Sequence, residues 1–104
     1  MPTSTAVVVT DAAARYARQL LAHLGRKNTV EELEGEPGGG LLVFPYGRAS
    51  VRPAEGHLLL TASAADGDSL DRLEDVLGRH LVRFGARAEL AVTWQREQAG
   101  TTDE

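Results

Sequence analysis

The sequence predicts an α+β domain of two layers, with two helices on one face of a mostly antiparallel sheet of about five to six strands. Two observations carry this. Two stretches, one near each end, repeat apolar residues at helical spacing. Between and around them lie short β-branched or alternating runs separated by Gly- and Pro-rich turns. The expected order is β-α-β-β-β-β-α-β. A ferredoxin-like arrangement is the alternative.

Each element has a local cause. Thr5–Thr10 is rich in β-branched residues and reads as a strand. Thr10 or Asp11 then caps a helix that begins with the strong helix formers Ala12–Ala14 and stops at Gly25. Its apolar stripe is Ala13, Tyr16, Ala17, Leu20 and Leu24, with His23 on the shoulder. Asn28–Glu34 is a weak edge strand whose glutamates discourage further pairing. Gly35–Gly40 is a flexible turn. Leu41–Phe44 and Arg48–Arg52 are strands joined through Pro45–Gly47, and Pro53–Gly56 turns into the strand His57–Ser63.

Asp66–Ser69 opens the second helix. Leu70, Leu73, Val76, Leu77, Leu81 and Phe84 form its apolar stripe, with Gly85 as a left-handed stop. Glu89–Gln95 is the last strand, and Leu90, Val92 and Trp94 share one of its faces. Residues 1–96 make one domain, and 97–104 are expected to be a disordered tail.

Bulk composition removes several function classes. The chain has 104 residues, no cysteine and a net charge of −4. Disulfides, thiolate metal sites and cysteine nucleophiles are excluded. The only lysine is Lys27, and the arginines are scattered, so no basic face exists to neutralise nucleic-acid phosphates. The apolar run Ala6–Val9 is too short for a signal peptide, and no run approaches a membrane span. A cytoplasmic location is expected.

The motif search is mostly negative. Asp66-Gly67-Asp68 could begin a calcium loop, but the fifth position is then Leu70 and the twelfth Leu77, neither of them a ligand. Gly38–Gly40 precedes a strand, whereas phosphate-cradling loops precede a helix. No serine stands in a nucleophile elbow.

The candidate ligand-binding residues are His80, Arg83, His23, Tyr16 and Trp94. His80 interrupts the stripe of the second helix, where an imidazole must be hydrogen-bonded or line a cavity. Read as core, it bonds a backbone carbonyl. Read as functional, it is a base or metal ligand. His23 joins it if the helices lie side by side, and Glu74 or Glu89 would extend such a set, although no HxxxH or HxH spacing supports one. Arg83 offers a planar fork for a carboxylate or phosphate, or pairs with Asp75 or Glu89. Trp94 and Tyr16 could stack on a flat ligand, but the core reading is preferred for Trp94. His57 is expected at the surface. No catalytic residue, metal site or cofactor is assigned.

One further pattern runs through these residues. Ala14-Arg15-Tyr16, Leu20, His23, Phe44, Gly47, Leu73-Glu74-Asp75-Val76, His80-Leu81, Arg83-Phe84, Glu89-Leu90, Val92 and Trp94 resemble the bacterial domain of unknown function 2218 family. The resemblance spans Thr3 to Arg96, and the run from His80 to Trp94 is its most specific part. Gly85 departs from the alanine usual there. The resemblance implies the company of flavin-dependent, siderophore-interacting ferric reductases, and so a setting near iron–siderophore metabolism. The expectation is a non-catalytic binding or accessory module taking such a reductase or a small molecule as partner. One alternative is a small enzyme using His80, His23, Tyr16 and Arg83. Another is a protein-docking or homodimerisation module.

Overall fold

The computed structural model describes residues 2–33, 38–85 and 90–97. The elements are β1 (Thr3–Val9), α1 (Ala13–Leu24), β2 (Thr29–Glu32), β3 (Gly40–Phe44), β4 (Gly47–Ala54), β5 (His57–Ala64), α2 (Gly67–Phe84) and β6 (Trp94–Glu97). Their order is the expected one. The strands form one sheet in the order β2-β3-β4-β5-β1-β6. Every neighbouring pair is antiparallel. The ferredoxin-like alternative is antiparallel throughout as well, and the order β6-β1-β5-β4, with α1 following β1 and α2 following β5, is that arrangement extended past β4 by β3 and β2.

The register sorts side chains between two faces. Ser4, Ala6 and Val8 of β1 stand opposite Ala62, Leu60 and Leu58 of β5. Ala62 and Leu60 in turn face Ala49 and Val51 of β4, and Leu42 of β3 faces Ala49. All of these are buried. Over this face α1 packs on β3, β4 and β5, and α2 packs on β1, β4 and β5. The helices also touch each other.

The helix stripes explain that packing. All five predicted stripe residues of α1 are buried. In α2, Leu70, Leu73, Leu77 and Leu81 are each 0% exposed. Burying each leucine contributes roughly 1.5–3 kcal/mol relative to leaving it in water. Val76 and Phe84, at the margins of the stripe, are only partly buried.

Among the described residues no helix covers the opposite sheet face. It presents Thr5, Val7 and Val9 of β1, Leu59 and Thr61 of β5, and Arg48 and Arg52 of β4. Val7 and Val9 are 55% and 78% exposed.

Several boundaries differ from expectation for identifiable reasons. β4 runs through Pro53 instead of turning there. β3 ends opposite Val51, so at Pro53 only β5 remains as a partner, and a missing N–H is tolerated at such an edge. The turn that follows places Gly56 at φ 82, in the left-handed region that favours glycine.

Gly25 and Gly85 end the helices without left-handed backbone, at φ −71 and −105. Leu90 packs directly on Gly85, where a β-carbon would lie 2.3 Å from Leu90 Cδ1 and 3.2 Å from the Tyr16 hydroxyl. Leu90 thus fills the end of α2, and β6 begins only at Trp94, five residues later than expected. Glu97, expected in the tail, closes β6. The remaining tail residues, 98–104, lie outside the described residues, as do Glu34–Pro37 of the expected edge strand and turn and Glu89.

Neither expected residue caps α1 in the predicted way. Ala12 is the N-cap and provides no side-chain bond. Thr10 Oγ1 instead accepts from the Ala12 N–H at 3.1 Å. At α2, Asp66 Oδ1 accepts from the Ser69 N–H at 2.8 Å, and this bond holds the Asp66 carboxyl below the usual carboxylate range.

Candidate functional site

Two of the predicted residues meet where α1 and α2 lie side by side. His23 sits one position before the buried Leu24, on the exposed shoulder of α1. His80 follows Leu77 by three residues and precedes Phe84 by four, so His80 and Phe84 share one flank of α2. That flank faces His23. The His23 and His80 ring centroids are 4.8 Å apart with planes tilted by 47°. Phe84 meets His23 edge-on at 5.7 Å and His80 at 6.4 Å. The result is a small aromatic cluster, half open to solvent, at the C-terminal ends of both helices.

His80 Nδ1 lies 2.7 Å from the Val76 carbonyl oxygen. A carbonyl only accepts, so the ring donates through Nδ1–H and its Nε2 keeps the lone pair when the ring is neutral. The expected carbonyl bond is present. The expected full burial is not, because His80 is only partly covered.

Among the described residues the other candidates make no ring contact, hydrogen bond or ion pair with this pair. Tyr16 is 4% exposed, with its ring within the core and its hydroxyl near Gly85. Arg15 lies over that ring at 5.3 Å. Arg83 is exposed and has no ion pair among the described residues. Its proposed partner Asp75 is bonded to Arg79 at 3.1 Å, and Glu89 lies outside the described residues. Trp94 is on the far side of α2, with its indole beside Gly78. It is partly buried against the core rather than within it. With Glu74, Gly78, Val82 and Val92 it lines an open cavity of about 400 Å³. His57, at the start of β5, is half-buried rather than fully exposed.

Three contacts escaped the sequence reading. Arg96 of β6 bonds Glu74 at 3.0 and 3.1 Å and also bonds Asp71, which ties the edge strand to α2. Those carboxylates push the guanidinium further toward its charged form. Arg72 lies over the Tyr46 ring at 4.5 Å. Phe84, at the margin of the predicted stripe, packs against the core and also completes the histidine cluster. Only this last contact had a signal, the four-residue spacing from His80.

A cavity of about 630 Å³ opens between α1 and β2, lined by Arg18, Leu21, Val30 and Glu32 among others. Among the described residues no group of three or more His, Cys, Asp or Glu side chains could hold a metal. No described helix is long and apolar enough to cross a membrane.

Comparison with known proteins agrees with this architecture. The NMR structure of PA4090 from Pseudomonas aeruginosa is similar, with a TM-score of 0.74 and 34% sequence identity. The match covers 91% of this chain and 96% of that one. No curated protein matches. Residues 5–95 match the family described as an uncharacterised protein conserved in bacteria, DUF2218, and the chain belongs to that family.

Proposed function

We propose that this chain is a non-catalytic binding module of the bacterial cytoplasm whose ligand-facing surface is the seam between α1 and α2. The observation that carries the reading is the contact of His23 and His80, 4.8 Å between centroids, in a half-open position. Two imidazoles beside an aromatic wall suit a ligand that accepts nitrogen donors or stacks on flat rings.

The arrangement gives little support to catalysis. The one hydrogen bond that orients His80 goes to a backbone carbonyl, not to a carboxylate or a nucleophilic hydroxyl. Tyr16 is committed to the core, and Arg83 is exposed with no ion pair among the described residues.

A second reading, protein docking or homodimerisation, is favoured by the sheet face that no described helix covers, where Val7 and Val9 stand open. A flavin-dependent siderophore-interacting reductase would be its partner. The iron–siderophore setting rests on the family resemblance alone.

A thermal-shift screen with iron, ferric siderophores, flavins and haem tests the first reading, since binding to the native state raises the melting temperature. The expected result is a shift in the parent protein that is lost in His23→Ala. Shifts that persist undiminished in His23→Ala refute the seam as the site.

A further inference from the structure

We infer that His23 and His80 form a two-histidine site for one borderline divalent transition ion of the Zn²⁺, Ni²⁺ or Cu²⁺ class. This rests on the reading of the helix seam as the ligand surface and gives that surface a ligand.

The spacing is the first reason. A Zn–N bond is about 2.1 Å and the imidazole centroid lies about 1.1 Å behind its nitrogen, so a shared metal sits about 3.2 Å from each centroid. For N–metal–N angles between about 90° and 110°, the two centroids are then about 4.5–5.2 Å apart. The observed separation is 4.8 Å.

The tautomer is the second reason. Metal-binding histidines nearly always donate their other ring N–H to a carbonyl or carboxylate, which fixes the ring and raises its basicity. His80 already does so, from Nδ1 to the Val76 carbonyl at 2.7 Å. Its Nε2 is thereby assigned as the donor atom.

The third reason is the surroundings. Phe84 packs edge-on against His23 and closes one side with an apolar wall, which limits water access. His23 is exposed, so an ion can enter. Among the described residues no third ligand joins the pair, and water completes the coordination shell. Imidazole-only donors favour zinc, nickel and copper over calcium or magnesium, which take oxygen.

The test is calorimetric titration of the full chain with Zn²⁺ alone, paired with electron paramagnetic resonance of one equivalent of Cu²⁺. The expected result is saturable uptake of one Zn²⁺ per chain and nitrogen hyperfine splitting from two imidazoles on Cu²⁺. His23→Ala and His80→Gln should each weaken Zn²⁺ binding at least tenfold. His57→Ala, on a different element, should leave it unchanged. His23 is exposed, so His23→Ala should fold, with far-UV circular dichroism as the check.

Absence of one-to-one uptake, or equal affinity in His23→Ala, overturns the inference. A His23-dependent thermal shift by flavin or haem without Zn²⁺ uptake overturns the metal and keeps the seam as the ligand surface. Loss of both responses removes the seam as well.

Discussion

Gly47→Ala adds one methyl group where β4 leaves its hairpin beneath α2. A β-carbon there would lie 2.6 Å from the Ser63 carbonyl oxygen and 2.6 Å from Leu73 Cδ1, with Ala64 Cβ at 3.2 Å. Leu73 is fully buried, so it has little room to turn away. The Ser63 carbonyl belongs to the backbone of β5, whose register against β4 is fixed by Arg48 opposite Ser63 and Gly47 opposite Ala64. Overpacking of this kind costs about 1–3 kcal/mol. The alanine also restricts the unfolded chain, which returns about 0.4–1 kcal/mol. The net loss is then about 1–2 kcal/mol, a fall in Tm of roughly 5–15 °C for a domain this size.

Thermal denaturation followed by far-UV circular dichroism reads the change directly. The attribution to Leu73 is checked by repeating the substitution in Leu73→Ala. That background is itself weakened by about 2–5 kcal/mol, but one of the two clashes is gone. Gly47→Ala should therefore cost less there. A Tm within about 2 °C of the parent, or strict additivity of the two changes, refutes the reasoning.

Three further outcomes follow from the same geometry. Gly67→Ala, at the first position of α2 with nothing within 4 Å of its β-carbon, should stabilise the chain by about 0.4–1 kcal/mol, and a lowered denaturation midpoint in urea would contradict this. Asp66→Ala should lower Tm at neutral pH through loss of the Ser69 cap. Because the folded carboxyl titrates below its unfolded value, that contribution is complete above about pH 4–5 and disappears as the pH falls through the lower folded pKa. Parent and variant should thus converge in acid, and a gap in Tm that widens there would be the wrong sign. Trp94→Ala should cost about 2 kcal/mol by chemical denaturation, below the roughly 3–5 kcal/mol of a fully buried aromatic, because the indole is only half-covered.

Periodicity was enough to read the layers. The leucine stripe of α2 and the five-residue stripe of α1 can face only a shared core, and each is buried as spaced. The expected strand His57–Ser63 is present as β5, with Leu58, Leu60, Ala62 and Ala64 on its buried face. The candidate site was legible only in fragments. His23 and His80 are far apart in the chain, so their contact depends on which helix flanks adjoin, and no spacing rule encodes that. Trp94 stands on the inner face, as alternation predicts, opposite the buried Ala6, and is only partly buried because β6 is the edge strand; Leu90 and Val92 precede that strand and do not belong to it. Leu90 instead packs into the space beside Gly85. Gly85 itself has a local signal, a glycine after a helix, that suggests left-handed backbone, whereas its close contact is with Leu90, a neighbour reached only in the folded chain.

The position of β1 has a consequence for how the chain reaches this state. β3, β4 and β5 follow one another through short turns and can pair as soon as they exist. β1 cannot. Its residue Thr3 pairs with Ser63 on one side and Glu97 on the other, so it is synthesised before both partner strands and is completed last. Closing such distant pairs is slow, because the loop entropy is lost before any contact compensates it. Meanwhile Ala6–Val9 remains an unpaired apolar strand, able to dock with other unfolded chains. Pulse-labelling hydrogen exchange during refolding should show amides of β4 and β5 protected before those of β1. The chain would then be most exposed to aggregation, and to chaperones, in the interval before its first strand finds its place.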